Sequence, residues 1–275
     1  MVTETDIGLR DGRILHAYDA GPAGALPVFW LHGTPNVGAP PEPLFAAAAQ
    51  RGLRWVSYDR PGYGGSTEQP GRTVASAAAD IAAVADGLGI GRFAVLGSSG
   101  GGPHALACGA LLAERVVAAV SAAGLAPFDA EGLDCLAGMA ESAAAEMRAA
   151  AAGRAELVKF LDSAEFDENL FTPADWEALS GPWSWLARIA AQAMEAVGMV
   201  DDDLAFVAPW GFEPGQISVP VLLVHGEQDR CVPSAHSKWL ARRCRSAEVQ
   251  LYADDGHVSV LNSAADALDW ICALA

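Results

Sequence analysis

Residues 93–112 read FAVLGSSGGGPHALACGALL and carry the clearest local signal in the chain. The four apolar residues at the start predict a buried strand, and the alanine-rich stretch from about 101 to 112 predicts a helix. The turn between them matches G-x-S-x-G, with Ser99 at its centre. A tight strand-to-helix turn exposes the central hydroxyl, and small residues two positions away on each side avoid Cβ clashes. This stretch therefore predicts that Ser99 is a nucleophile.

Other interpretations of this turn fit less well. If Ser98 were the nucleophile, Leu96 would occupy the first position that must be small. A phosphate-binding loop of the G-x-x-x-x-G-K-[ST] type needs a lysine, and the turn has none. The glycines at 100–102 also lack the G-x-G-x-x-G spacing of a dinucleotide site.

The rest of the chain alternates short apolar runs with longer amphipathic stretches, which is typical of a mostly parallel α/β sheet with helices on both faces. The dipeptide Asp11-Gly12 predicts a hairpin turn between antiparallel strands near 6–10 and 14–19. Further strands are predicted at 27–31, 55–58, 93–96, 116–121, 220–224 and 247–252, and helices at 43–50, 74–88, 101–112, 235–243 and 258–274.

The strand pattern is interrupted between residues 126 and 214, which read as several helices separated by proline and glycine breakers. This segment contains four of the chain's eight tryptophans. We therefore expect a core domain formed by residues 1–125 and 215–275. A helical cap, residues 126–214, is inserted after the sixth strand.

A serine hydroxyl needs a base at neutral pH, and the base needs an acceptor that fixes its tautomer. His257 follows the last predicted strand, and Asp229 follows the strand before it. Both loops lie at the carboxyl edge of the sheet, where open α/β sheets place their sites. Glu227 is a rival for the acid but stands nearer the strand end. The order Ser99, Asp229, His257 is the one associated with the G-x-S-x-G fold.

These residues, with two further motifs, resemble the α/β-hydrolase fold superfamily. His32-Gly33-Thr34-Pro35 is similar to the HGxP loop of that family, and residues 59–66, DRPGYGGS, are similar to its D-R-P-G-x-G-x-S loop. The resemblance implies an oxyanion hole formed by the N–H groups of Thr34 and Gly100. It also implies that His32 orients the oxyanion loop.

The resemblance implies a serine esterase that forms an acyl-enzyme intermediate. A proline-iminopeptidase-like aminopeptidase is an alternative, for which the acidic residues Glu165, Asp167 and Glu168 would hold a substrate's amino terminus. Against it, those peptidases usually carry D-Q-R-G where this chain has Asp59-Arg60-Pro61-Gly62. A hydroxynitrile-lyase-like enzyme and a non-catalytic small-molecule receptor on the same fold also remain open.

Three residues are candidates for the substrate pocket, namely His32, Trp183 and Trp210. For the tryptophans the competing interpretation is that they pack the cap against the sheet. The sequence predicts a small-molecule substrate but does not identify its acyl or leaving group.

The composition excludes several other classes of function. The 34 acidic residues against 17 basic ones give a net charge of −17, which disfavours nucleic acid and anionic lipid as partners. The five cysteines form no CxxC pair, so we expect neither a disulfide framework nor a zinc site. The acyl-enzyme route implies no metal or organic cofactor. No apolar run of membrane-spanning length and no signal-peptide pattern is apparent. We therefore expect a cytoplasmic protein, with its oligomeric state left open.

Overall fold

The computed structural model of the chain describes residues 1–193 and 197–275. Its centre is one eight-stranded sheet with the strand order β1-β2-β4-β3-β5-β6-β7-β8. β1 and β2 form the predicted antiparallel hairpin, β2 pairs with β4 antiparallel, and all other neighbours are parallel. The strands are β1 Val2–Gly8, β2 Ile14–Ala20, β3 Leu26–Leu31, β4 Leu53–Tyr58, β5 Phe93–Ser98, β6 Val116–Ala122, β7 Val221–Gly226 and β8 Ala247–Tyr252. The predicted mostly parallel α/β sheet is confirmed.

The central strands are apolar on both faces because helices cover both faces of the sheet. In β3, Phe29 and Leu31 join one hydrophobic cluster, whereas Val28 and Trp30 join a second cluster on the opposite face. This alternation follows from the two-residue period of a strand. All six residues of each of the strands β4, β5 and β7 are buried, so these strands lie in the interior of the protein.

The helices are α1 Phe45–Gln50, α2 Ser76–Gly87, α3 Gly101–Leu111, α4 Glu141–Ala152, α5 Arg154–Ser163, α6 Pro173–Ser180, α7 Trp185–Ala191, α8 Val197–Val207, α9 Ala235–Arg243 and α10 Ala264–Cys272. Helices α2, α3 and α9 contribute to the cluster that contains Phe29, and α1 and α10 contribute to the other. Within the described part of the chain, no helix is both long enough and apolar enough to cross a lipid bilayer.

Three predicted helices begin later than expected. The helix predicted at 43–50 is divided into a 3₁₀ turn at Glu42–Leu44 and α1. Helix α2 begins at Ser76 because the preceding residues form a turn: the Thr73 N–H donates to the Ser76 hydroxyl, and the Ala75 N–H donates to the Trp210 carbonyl. The last predicted helix is divided, with a 3₁₀ turn at Ser259–Ser263 before α10.

Helices α4 to α8 lie between β6 and β7, in the segment predicted to be the cap, and we keep that name for residues 126–214. Cap residues join the core on both faces of the sheet. Trp185 and Ile189 belong to the cluster of Trp30, and Phe206 and Trp210 belong to the cluster of Phe29. The cap is thus packed onto the core through apolar contacts.

Candidate active site

Ser99 occupies the turn between β5 and α3 with a backbone φ of +53°, a conformation that is strained for a residue with a side chain. The two flanking glycines make this turn possible. A Cβ on Gly97 would lie 2.1 Å from the Gly101 carbonyl oxygen, and a Cβ on Gly101 would lie 2.0 Å from the Leu31 carbonyl oxygen. The glycines of the G-x-S-x-G pattern are therefore required by close backbone packing, and this packing holds the Ser99 turn in place.

A chain of two hydrogen bonds leads from Ser99 to a carboxylate. The Nε2 atom of His257 lies 2.9 Å from Ser99 Oγ, and its Nδ1 lies 2.7 Å from an oxygen of Asp229. The structure thus brings together the three residues that the sequence singled out, although they stand on three separate loops. In this arrangement His257 can accept the Ser99 proton at Nε2 while Nδ1 donates to Asp229.

Asp229 is held in place by its own loop. Its Oδ1 accepts hydrogen bonds from the N–H groups of Cys231 and Val232, at 2.8 and 2.9 Å. His225 Nε2 lies 3.2 Å from its other oxygen. Burial alone would raise the pKa of Asp229, but the charge of His257 and hydrogen bonds from His225 and His257 hold it well below its usual range. The carboxylate is therefore ionised at neutral pH and available to orient His257.

The environment of His257 favours its protonated form. Burial alone would lower the pKa of this imidazole. The charge of Asp229 and its hydrogen bond, together with the charge of Asp175 in α6, outweigh burial and raise the pKa above its ordinary value. Another buried histidine, His104 in α3, behaves in the opposite way, since burial and the charge of Arg60 lower its pKa to about 4. His257 is thus suited to accept a proton, whereas His104 is not.

The predicted oxyanion loop lies directly against the nucleophile turn. A Cβ on Gly33 would meet Cβ of Ser99 at 3.4 Å, and a Cβ on Gly100 would meet Oγ1 of Thr34 at 2.5 Å. Across residues 1–193 and 197–275, the backbone N–H groups of Thr34 and Gly100 donate to no acceptor of the protein. Free N–H groups beside a nucleophile can stabilise a developing oxyanion.

A buried cluster of charged groups, which the sequence did not predict, holds the predicted oxyanion loop. Asp202 of α8 is fully buried and accepts hydrogen bonds from Thr34 Oγ1 at 2.6 Å, Arg60 at 2.6 Å and Tyr63 at 2.9 Å. Arg60 in turn donates to the carbonyl oxygens of His32 and Gly33. The signal for this cluster was three successive aspartates, residues 201–203, within an otherwise apolar helix.

The three predicted pocket residues are all packed in the interior. Both ring nitrogens of His32 are hydrogen-bonded, Nδ1 to the Gly33 carbonyl and Nε2 to the Arg60 N–H, which fits the orienting role implied by the resemblance. Trp183 is 1% exposed and donates to Asn262, and Trp210 is 3% exposed and donates to the Phe206 carbonyl. The rings of Trp183 and Trp210 lie in the two hydrophobic clusters of the core, one in each.

The acidic residues of the cap that would suit an aminopeptidase lie at the surface. Glu165 and Glu168 are exposed. Asp167 accepts a hydrogen bond from the Asn169 N–H and thereby caps a short 3₁₀ turn. This geometry favours a solvated face over a site for a substrate's amino group.

Cys231 is the cysteine that lies beside the site. Its sulfur and ligand atoms of Asp229 and His257 all lie within 4.8 Å of one another, which is close enough for a metal ion. Asp229 and His257 are already joined by the hydrogen bond described above, and burial raises the pKa of the Cys231 thiol well above its usual value. We therefore interpret Cys231 as a neutral neighbour and not as a member of a metal site.

Comparison with known proteins places this geometry in a wider context. The model of the alpha/beta hydrolase fold family matches residues 27–264. A non-heme chloroperoxidase of Streptomyces lividans is 30% identical over 238 residues, which are 82% of this chain and 82% of that protein. An esterase from Thermogutta terrifontis, solved with malate bound, has a TM-score of 0.72 and 22% identity over 98% of this chain and 96% of that chain. The enol-lactonase from Burkholderia xenovorans LB400 has a TM-score of 0.73 and 21% identity over 96% and 97%. At these identities the two solved structures support the fold alone.

Proposed function

This chain belongs to the alpha/beta hydrolase fold family, and we propose that it cleaves small carboxylic esters with Ser99 as the nucleophile. The observation that carries the proposal is the hydrogen-bonded chain from Ser99 through His257 to Asp229, with distances of 2.9 and 2.7 Å. Nucleophile, base and orienting acid within hydrogen-bond reach are the requirements for covalent catalysis by serine.

In the first half of the proposed reaction, Ser99 Oγ attacks the ester carbonyl carbon while its proton passes to Nε2 of His257. The carbonyl electron pair moves onto the oxygen, which the N–H groups of Thr34 and Gly100 stabilise. The intermediate then collapses, the bond to the leaving alcohol breaks, and His257 returns its proton to that alcohol. This leaves the acyl group on Ser99.

In the second half, a water molecule attacks the acyl carbon while His257 accepts one of its protons. The second tetrahedral intermediate collapses to the carboxylic acid, and the proton returns to Ser99 Oγ. Asp229 remains ionised throughout and stabilises the imidazolium that forms in each half. Every proton transfer therefore passes through Nε2 of one histidine.

Replacement of Ser99 by Ala tests this proposal. We expect kcat for a small activated ester to fall by about 10⁴-fold or more, because the covalent route is lost. The purified variant should also fail to react with a fluorophosphonate probe that labels the wild type. Ser98→Ala is the matched control, since it removes a neighbouring hydroxyl from the same turn and should leave turnover and labelling intact. Turnover by Ser99→Ala near the wild-type rate would refute the assignment.

The acyl and leaving groups are addressed by a substrate panel. Esters of graded acyl length should be turned over faster than aminoacyl amides of matched size. Amide turnover equal to ester turnover would instead favour an aminopeptidase. Cyanide release from cyanohydrins would favour a hydroxynitrile-lyase-like reaction. Tight ligand binding without labelling at Ser99 would favour a receptor.

Perhydrolysis is a second candidate, and the 30% identity to a protein named a non-heme chloroperoxidase favours it. If hydrogen peroxide replaced water in the second half of the reaction, the acyl group would leave as a peroxycarboxylic acid, which can oxidise a halide. The assay is bromide oxidation in the presence of acetate and hydrogen peroxide. Wild-type activity that is lost in Ser99→Ala would support this candidate. Equal bromide oxidation by the two proteins would count against it.

A further inference from the structure

Asp175 lies in the first turn of α6 in the cap, and its side chain is 0% exposed. It takes no part in the proposed reaction. Its Oδ1 accepts hydrogen bonds from the N–H of Val258 at 2.7 Å, the N–H of Ser259 at 2.8 Å and the Ser259 hydroxyl at 3.1 Å. Its Oδ2 accepts from the N–H and the hydroxyl of Thr172, at 2.9 and 2.8 Å. In the described part of the chain, no lysine or arginine forms an ion pair with it.

The contacts of Asp175 surround the proposed base. Val258 and Ser259 directly follow His257 in the chain. On the other side, a Cβ on Gly256 would lie only 2.1 Å from Oδ2 of Asp175. The Gly256 N–H also donates to the Ser259 hydroxyl at 2.7 Å. One cap carboxylate therefore accepts hydrogen bonds from the backbone after His257 and packs closely against Gly256 before it, which limits where the imidazole can point.

Asp175 also brings negative charge to this loop. Burial alone would raise the pKa of Asp175, but hydrogen bonds from Ser259, Thr172 and Val258 outweigh burial and lower it. The carboxylate is therefore ionised at neutral pH. Its charge adds to that of Asp229 in raising the pKa of His257.

The other groups that face His257 do not cancel this charge. Asp229 and Cys231 approach from the loop after β7, and Ser99 approaches from the turn after β5. Asp255 lies on the same loop as His257. Burial and the charge of Asp175 raise the pKa of Asp255, although a hydrogen bond from Ser259 opposes this change. None of these groups is basic.

We propose that Asp175 is a positioning residue that acts through His257, tying the cap to the His257 loop and stabilising the imidazolium with a second buried negative charge. The catalytic part of this inference rests on the proposed function. Through Asp175, the cap would then increase the basicity of the His257 imidazole in addition to covering the core.

The test compares two substitutions within one capping box. Asp175→Asn keeps the shape of the side chain and removes its charge. Thr172→Ala is the matched control, because it removes a hydroxyl that bonds Asp175 and opens the same capping box while leaving the charge in place. Circular dichroism establishes that each variant is folded. If Asp175→Asn does not fold, Asp175→Ser provides the uncharged comparison.

The first measurement is the titration of the His257 ring by nuclear magnetic resonance, which requires no turnover. Removal of the negative charge disfavours the imidazolium, so the His257 midpoint should move to lower pH in Asp175→Asn and remain near the wild-type value in Thr172→Ala. Superimposable titrations of the two variants would overturn the proposal.

The second measurement is the pH profile of ester turnover. In Asp175→Asn the acid limb of kcat/KM should move to lower pH, and the plateau should fall by roughly 10- to 100-fold because the imidazole is less well placed. A lower plateau with an unmoved acid limb would mean that Asp175 only holds the His257 loop in place. That result would overturn the proposal that its charge stabilises the imidazolium. If the wild type cleaves no ester but the titrations differ as expected, the proposed function and the catalytic part of this inference fail, whereas the effect of the Asp175 charge on His257 stands.

Discussion

Replacing Asp202 by Asn should strongly destabilise this protein, although the two side chains have nearly the same shape. Asp202 is fully buried between the cap and the core and forms ion pairs with Arg60 and Arg72, which are themselves buried. It also accepts hydrogen bonds from Tyr63 and Thr34. The substitution leaves two guanidinium groups in the interior without their shared anion.

The size of the effect follows from the cost of an uncompensated buried charge. Removing one partner of a buried ion pair costs about 3 to 5 kcal/mol. This loss is a large share of a total stability of about 5 to 15 kcal/mol. For a chain of this size it corresponds to a fall in Tm of roughly 6 to 20 °C. Ester turnover should fall as well, because Arg60 would no longer be held against the His32 and Gly33 carbonyls.

The difference in stability between the wild type and Asp202→Asn should depend on pH. Burial alone would raise the pKa of Asp202, but the charges of Arg60 and Arg72 and the hydrogen bond with His104 hold it well below its ordinary value. Stability from this carboxylate is therefore complete above the pKa of an unfolded aspartate, about 4. It is lost only as pH falls through the lower folded pKa. The wild type should exceed the variant by a constant amount at neutral pH, and the difference should narrow only in acid.

The assay is unfolding in urea followed by tryptophan fluorescence, at neutral and at acidic pH. Asp201→Asn is the matched control, since Asp201 is the preceding residue and its partner Arg154 has a half-exposed side chain. Asp201 itself is buried, but the half-exposed Arg154 can regain water when the pair is lost, so we expect this substitution to cost about 1 kcal/mol or less. The reasoning would be refuted if Asp202→Asn stayed within about 1 kcal/mol of the wild type, or if Asp201→Asn cost as much.

Two further predictions concern the base and the nucleophile turn. Wild-type kcat/KM should fall as pH drops through the raised pKa of His257, because the imidazolium cannot accept the Ser99 proton; a rate that rises into acid would contradict this role. Gly101→Ala should yield little folded protein, because its Cβ would lie 2.0 Å from the backbone oxygen of Leu31, whereas Gly91→Ala, with no atom within 4 Å of its Cβ, should fold normally. Soluble yield and Tm measure the difference, and normal folding of Gly101→Ala would exclude the close packing described for the turn.

Much of the fold was predictable because its signals are local. A buried parallel strand must be apolar on both faces, so β5 and β7 stand out as short continuous apolar runs. Helix α9 and strand β8 have the predicted bounds, 235–243 and 247–252. The start of α2 was not predictable, because it depends on a hydrogen bond between Ala75 and the distant Trp210.

The residues of the candidate site also fall into those that local signals predicted and those that depend on distant partners. Ser99 was recognisable because the turn around it imposes its own glycines, and chain order pointed to Asp229 and His257. The contacts of Asp202 and Asp175 were hidden, since each depends on partners from another part of the chain. Asp202 meets Thr34 across 168 residues, and Asp175 meets Val258 across 83.

The sequence by itself determined the α/β sheet, the nucleophile turn and the three loops that carry the proposed serine, acid and base, because each depends on backbone geometry over a few neighbouring residues. Only the tertiary structure decided how the cap serves the site. A buried carboxylate is stable only where distant donors converge on it, and that convergence exists only after the cap has packed onto the core. The Ser99 turn is therefore local, whereas the loops of His257 and Thr34 are held by two aspartates from the cap, Asp175 and Asp202.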